Sequence, residues 1–202
     1  MCIRDSIYTS DHGDLQGDYG LMFKGPYHVD SLLRVPLIWR SGQATAPACI
    51  TAPVGHVDLA PTFCRIAGLQ VPEWMQGQPL PTDVGAAGRE RVLTTFDSQF
   101  SAVGMHLRTI YRDGFLCTAY EVDAPQRGAC FPLYWALWGR ESTVPRYRGG
   151  EGELYDCTAD PLQQRNLWSD SAHRSIKDDL LDDLCQSLPA LRQPVLVPAA
   201  PT

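Results

Sequence analysis

Apolar positions form short, nearly continuous runs early in the chain and alternating or helical patterns later. Ile7-Tyr8 leads straight into the polar run Thr9-Ser10-Asp11-His12-Gly13-Asp14, which predicts the end of a buried strand over residues 7 to 10. A glycine-bearing loop with one short helical turn is expected over residues 11 to 31. Val35, Leu37, Ile38 and Trp39 make residues 34 to 40 almost wholly apolar, the pattern of a strand covered on both faces. Asp58 stands where it would cap a helix over residues 59 to 67. Pro61 is tolerated in the first turn of that helix, Gly68 ends it, and its apolar face is Leu59, Phe63 and Ile66.

From Pro72 to Gly88 the chain is rich in proline and glycine and reads as a surface connector, with a subdomain boundary near residue 85. Beyond it, residues 91 to 96, 105 to 112 and 115 to 120 are short strands, and Arg112-Asp113-Gly114 supplies hairpin chemistry between the last two. Residues 121 to 152, around Trp135 and Trp138, look irregular, and Glu153-Leu154-Tyr155-Asp156 adds a last strand. Ile176, Leu180, Leu181 and Leu184 recur at helical spacing over residues 171 to 187, with Asp178, Asp179, Asp182 and Asp183 on a solvated face. The expected fold class is therefore α/β: part of a sheet-and-helix domain over 7–85, an antiparallel sheet subdomain with a packed terminal helix over 86–190, and a Pro-rich tail over 191–202.

Composition narrows the function classes. With 44% hydrophobic and 20% charged residues, the 202-residue chain has an ordinary globular balance. The net charge of -6 comes mostly from residues 151 to 202, which hold nine acids and four bases, and no basic stripe offers itself to nucleic acid. No apolar run approaches the roughly 20 residues of a spanning helix. Seven cysteines include no C-x-x-C pair, which argues against zinc fingers and a thioredoxin-like motif. Arginine outnumbers lysine fifteen to two, and one of the two lysines is Lys24.

Asp11 and His12 are candidate metal ligands at a strand end, where α/β sheets collect ligands, and the glycines after them permit close backbone approach. An EF-hand fails on spacing, because Gly13 stands at the third ligand position. A carboxylate suits calcium, magnesium or manganese, whereas an imidazole tilts the site toward transition metals. His28 and Arg34 are near enough in sequence to bind substrate or brace the site.

The run Thr9-Ser10-Asp11-His12-Gly13, with Gly17-Asp18-Tyr19-Gly20-Leu21, Lys24-Gly25 and Arg34-Val35-Pro36-Leu37-Ile38, resembles the second half of a sulfatase of the alkaline-phosphatase superfamily. The likeness continues through Val57-Asp58-Leu59-Ala60-Pro61-Thr62, Ala67-Gly68-Leu69 and Gln76-Gly77. It ends with Glu153-Leu154-Tyr155-Asp156, Asp160-Pro161 and Asn166-Leu167. The resemblance implies a sulfuric ester hydrolase acting on sulfated carbohydrate or aryl sulfate. It makes Asp11 and His12 two of the metal ligands and Lys24 the catalytic lysine that contacts the sulfate group. Many family members have asparagine at the position of His12. Calcium is the expected ion, with manganese or zinc as alternatives.

The family nucleophile is a formylglycine made from a Cys-x-Pro-x-Arg cysteine upstream of the Asp-His-Gly loop. This chain contains no such motif: Cys130-Phe131-Pro132-Leu133-Tyr134 ends in tyrosine and lies downstream. Residues 1 to 6 also lack the apolar strand that the family carries there, so the chain is expected to be a fragment, inactive alone, whose parent supplies the nucleophile. Two other activities of the superfamily remain open, a phosphonate monoester hydrolase or phosphodiesterase and a phosphoethanolamine transferase. So does a non-catalytic binding module.

Overall fold

The computed structural model describes residues 5–25, 27–40, 42, 49–82, 86, 88–97, 105–122 and 150–188. The expected boundary at residue 85, the turns around Trp135 and Trp138, the Cys130 to Tyr134 segment and the Pro-rich tail lie outside the described residues.

The second part of the chain is organised by an antiparallel sheet of four strands in sequence order: β5 (Arg91–Asp97), β6 (Met105–Arg112), β7 (Phe115–Val122) and β8 (Gly152–Asp156). Asp113 and Gly114 close the β6–β7 hairpin at φ 54° and 82°, the left-handed pair that an Asp-Gly turn adopts readily. Leu93, Ile110, Cys117 and Leu154 stand opposite one another across the four strands and form one apolar row. The amphipathic helix that follows (Arg174–Ser187, here α3) buries Leu180 and Leu184 in the same cluster, with Ile176 packed alongside. Each fully buried leucine contributes about 1.5–3 kcal/mol, so this row and helix form the main core.

Asp170 accepts from the Ala172 amide at 3.0 Å and caps the 3-10 turn Ser171–His173 that leads into α3. The aspartates of α3 are not simply a solvated face. Arg112 donates to Asp183 at 2.6 Å and also pairs with Asp179, while Arg91 meets Asp183 at 3.1 Å. Arg91 and Arg112 are cross-strand partners, so Asp183 neutralises a like-charge pair while clamping the helix to the sheet.

In the first part, β1 (Ser6–Thr9) pairs antiparallel with β4 (Leu37–Arg40) as a two-stranded ribbon. The expectation of a strand covered on both faces is not met: Leu37, Ile38 and Arg40 are exposed. A small cluster joins Leu15 to Val29 and Leu32, which lie just before and on the short helix α1 (Asp30–Leu33).

Asp58 also departs from expectation. It does not cap α2 (Leu59–Ile66); its buried carboxylate accepts from the Gly55 and Gln78 amides, both at 2.9 Å, and pairs with Arg89 at 2.7 Å. Burial alone would push that carboxyl up, but the Arg89 guanidinium and the two amides outweigh it and hold it below the usual range. Phe63 and Ile66, expected to face a core, are exposed.

Besides the Asp58–Arg89 pair, further polar contacts join the two parts. His28 reaches Thr109, Tyr19 Oη donates to the Leu162 carbonyl at 3.1 Å, and Gln163 Oε1 accepts from the Asp30 amide at 2.6 Å, at the start of α1. The Asp160 and Asn166 segments hold that junction. Asp160 accepts from the Arg165 amide at 2.8 Å, and Asn166 Oδ1 accepts from Leu154 and Trp168 amides.

Candidate functional site

The loop leaving β1 carries the candidate chemistry, and its neighbours dictate its path. A Cβ on Gly13 would lie 1.8 Å from the Ser31 carbonyl oxygen, so only glycine lets the loop pass this close to α1, where the Gly13 amide donates to the Leu32 carbonyl at 2.9 Å. Buried Leu15 anchors the next step. The strands β2 (Leu15–Gln16) and β3 (Met22–Phe23) then pair around the turn at Asp18–Gly20, where Gly17 and Gly20 take positive φ and Ser31 Oγ donates to Asp18 at 2.6 Å. This hairpin returns the chain to its start. Lys24, twelve residues after His12, arrives beside it.

Lys24 Nζ lies 3.0 Å from His12 Nε2, and the same ring nitrogen is 3.4 Å from Asp11 Oδ2. His12 Nδ1 is 2.8 Å from the Gly13 carbonyl oxygen, to which it can only donate, so Nε2 carries the lone pair and accepts from the lysine. That assignment leaves an acceptor nitrogen beside a carboxylate. Asp11 is exposed, and its carboxyl is held below the usual range chiefly by hydrogen bonds from the His12 amide and its own amide. Ser10 Oγ donates to the His12 carbonyl at 2.8 Å and tightens the turn from within.

One contact here was not legible in the sequence. His56, which opens the 3-10 turn before α2, has Nε2 2.8 Å from the Ser10 carbonyl oxygen and therefore donates to it, tying the loop to the Asp58 hub. Nothing in the Gly55-His56-Val57 stretch signals this role before the two segments are placed.

The other two candidates have different partners. His28 is buried, with Nδ1 2.6 Å from Thr109 Oγ1, and burial pulls its pKa down to about 4. Arg34 is exposed, and its guanidinium is 3.7 Å from Asp30 one turn earlier.

The geometry fits one side of a metal and anion site. A ligating histidine commonly donates its other ring nitrogen to a carbonyl, which is the arrangement of His12 on Gly13. Asp11 and His12 can supply two ligands, and among the described residues no group of three or more His, Cys, Asp or Glu side chains is placed to hold a metal. Lys24 brings a cation to the same point.

No family model matches the chain. Among individual proteins, it is 36% identical to the N-acetylglucosamine-6-O-sulfatase of Bacteroides thetaiotaomicron over 191 residues, covering 87% of this chain and 28% of that protein. It is 34% identical to the choline-sulfatase of Rhizobium meliloti over 80% of this chain and 26% of that protein. A solved structure of a protein bound to its substrate D-glucosamine-2-N,6-O-disulfate superposes with a TM-score of 0.67 at 23% identity, over 89% of this chain and 33% of the other. Its relatives by sequence are sulfatases, each matched over part of its length.

It spans about a third of the length of its sulfatase relatives, and its fold matches their C-terminal part. A phosphonate monoester hydrolase of Agrobacterium radiobacter shares the fold at a TM-score of 0.60 and 20% identity, so the fold itself is common to sulfatases and phosphonate hydrolases. Sulfatases generally use a metal ion and a formylglycine.

Proposed function

We propose that this chain is the part of a sulfuric ester hydrolase that contributes one side of its metal and sulfate site. Asp11 and His12 are two of the metal ligands, and Lys24 is the cation that contacts the sulfate oxygens. The observation that carries this reading is the convergence of Lys24 Nζ and Asp11 Oδ2 on His12 Nε2, at 3.0 Å and 3.4 Å, across twelve residues of loop.

Sulfate-ester cleavage builds negative charge on the leaving oxygen and the equatorial oxygens, and preorganised cations stabilise that charge most effectively. A bound divalent ion supplies Lewis acidity; calcium suits the carboxylate, with manganese or zinc as the alternatives that the imidazole favours. This chain's residues orient the site. Gly13 and Ser10 fix the His12 ring and backbone, and His56 holds the Ser10 carbonyl. Arg34 remains exposed and open to an anionic substrate, whereas buried His28 acts as the brace.

The nucleophile, a formylglycine, belongs to the part of the sulfatase fold that this chain does not span, as do the remaining ligands. Substrates are sulfated carbohydrates or aryl sulfates, which the named relatives support through an N-acetylglucosamine-6-O-sulfatase and a choline-sulfatase. In the full-length protein, Lys24→Ala should lower aryl sulfate turnover by about 10²–10³-fold, and Asp11→Asn should weaken calcium binding read by calorimetry. An intact rate in both variants contradicts the assignment. Faster hydrolysis of an aryl phosphodiester than of an aryl sulfate would move the protein to the phosphonate hydrolase branch.

A further inference from the structure

The helix α1 has no cap of its own. Its first amide, on Asp30, follows Val29, whose side chain carries no acceptor oxygen, so a partner for that amide has to come from elsewhere. Gln163 supplies it from the C-terminal part of the chain. Its Oε1 accepts from the Asp30 amide at 2.6 Å, and the residue is only 2% exposed.

Gln163 takes φ 51° in doing so, a left-handed conformation that is uncommon outside glycine, asparagine and aspartate. The turn around it is closed from within. The Gln163 amide donates to the Asp160 carbonyl at 3.0 Å, and Asp160 Oδ2 accepts from the Arg165 amide at 2.8 Å. A residue held in such a conformation persists where its surroundings fix it, and such positions gather at functional sites.

Both arms of the candidate site lean on this turn. Behind Asp11 and His12, the Leu32 carbonyl of α1 accepts from the Gly13 amide at 2.9 Å, and the Ser31 carbonyl leaves no room for a Cβ there. Ahead of Lys24, Tyr19 Oη donates to the Leu162 carbonyl at 3.1 Å, and Asp18 accepts from Ser31 Oγ at 2.6 Å. The turn therefore touches α1 through Gln163 and the β2–β3 hairpin through Leu162.

We infer that Gln163 is a positioning residue of the site. By fixing α1 from the C-terminal part, it holds Gly13, and with it Asp11 and His12, where Lys24 reaches the His12 ring at 3.0 Å. What that contact does for catalysis rests on the functional reading above; the mechanical link from Gln163 to Gly13 does not.

Two substitutions separate packing from hydrogen bonding. Gln163→Met keeps the bulk and loses the acceptor, whereas Gln163→Glu keeps an acceptor oxygen. Amide exchange on this chain should show Gly13 at least about tenfold faster in Gln163→Met and within about twofold of wild type in Gln163→Glu. The Leu167 amide, which donates to the Leu154 carbonyl at 2.8 Å just beyond the turn, should be unchanged in both. In the full-length protein, Gln163→Met should lower kcat for an aryl sulfate about tenfold with KM within about twofold, and Gln163→Glu should restore the rate.

Unaltered exchange at Gly13 in Gln163→Met, a Leu167 amide that speeds up as much as Gly13, or no rescue by Gln163→Glu would overturn the inference. So would faster Gly13 exchange with kcat unchanged. If the wild type hydrolyses no aryl sulfate, the functional reading fails, and a selective Gly13 response still supports the link.

Discussion

His28 Nδ1 lies 2.6 Å from Thr109 Oγ1, and Thr109 in turn is 2.8 Å from Thr118, so a buried polar chain ties the segment after the Asp-His-Gly loop to two central strands of the sheet. Burial lowers the His28 pKa from 6.5 to about 4. Between those values the unfolded chain binds a proton that the folded chain refuses, so stability is full above pH 6.5 and falls as the pH drops toward 4. The loss amounts to about 3 kcal/mol. Denaturant titrations across that window should show this slope in the wild type and a shallower one in His28→Gln, which keeps a polar contact and cannot titrate. Equal slopes would contradict it.

Asp58 should be among the least replaceable residues of the first part. Asp58→Ala leaves the Arg89 guanidinium and the amides of Gly55 and Gln78 without their acceptor, at a cost of about 3–5 kcal/mol. Chemical denaturation is the measurement, and a loss under about 1 kcal/mol would show that the hub relaxes onto other partners.

Gly13 and Gly17 separate steric need from backbone need. Gly13→Ala drives a Cβ to 1.8 Å from the Ser31 carbonyl oxygen and must displace the loop from α1, whereas at Gly17, with φ 109°, a Cβ meets nothing within 4 Å and faces backbone strain only. Gly17→Ala should cost about 1 kcal/mol and Gly13→Ala clearly more. Amide exchange at Gly13, whose donor bond to Leu32 is 2.9 Å, should accelerate only in the Gly13 variant.

The C-terminal part was readable because each local signal agrees with its own core. Asp113-Gly114 demands a tight hairpin, and Leu180 and Leu184 at helical spacing find Ile110, Cys117 and Leu154 within the same chain. The first part misled for a physical reason. Leu37, Ile38, Phe63 and Ile66 carry a burial pattern, but a pattern records what a residue is suited to cover and not whether the cover lies in the same stretch of chain. Asp58 read as a cap because its spacing fits one; only the return of Gln78 and Arg89 makes it a hub. The resemblance singled out Asp11, His12 and Lys24 as site candidates, while the contacts of Lys24 on His12 and of His56 on the Ser10 carbonyl needed the fold.

In the proposed role, Asp11, His12 and Lys24 form one side of a sulfatase site and depend on the remainder of the fold for the other. The direct measurement is aryl sulfate hydrolysis by this purified chain with calcium present. No turnover above buffer is expected, in the wild type and in Asp11→Asn and Lys24→Ala alike. Turnover by the chain alone that falls when either residue is replaced would contradict it.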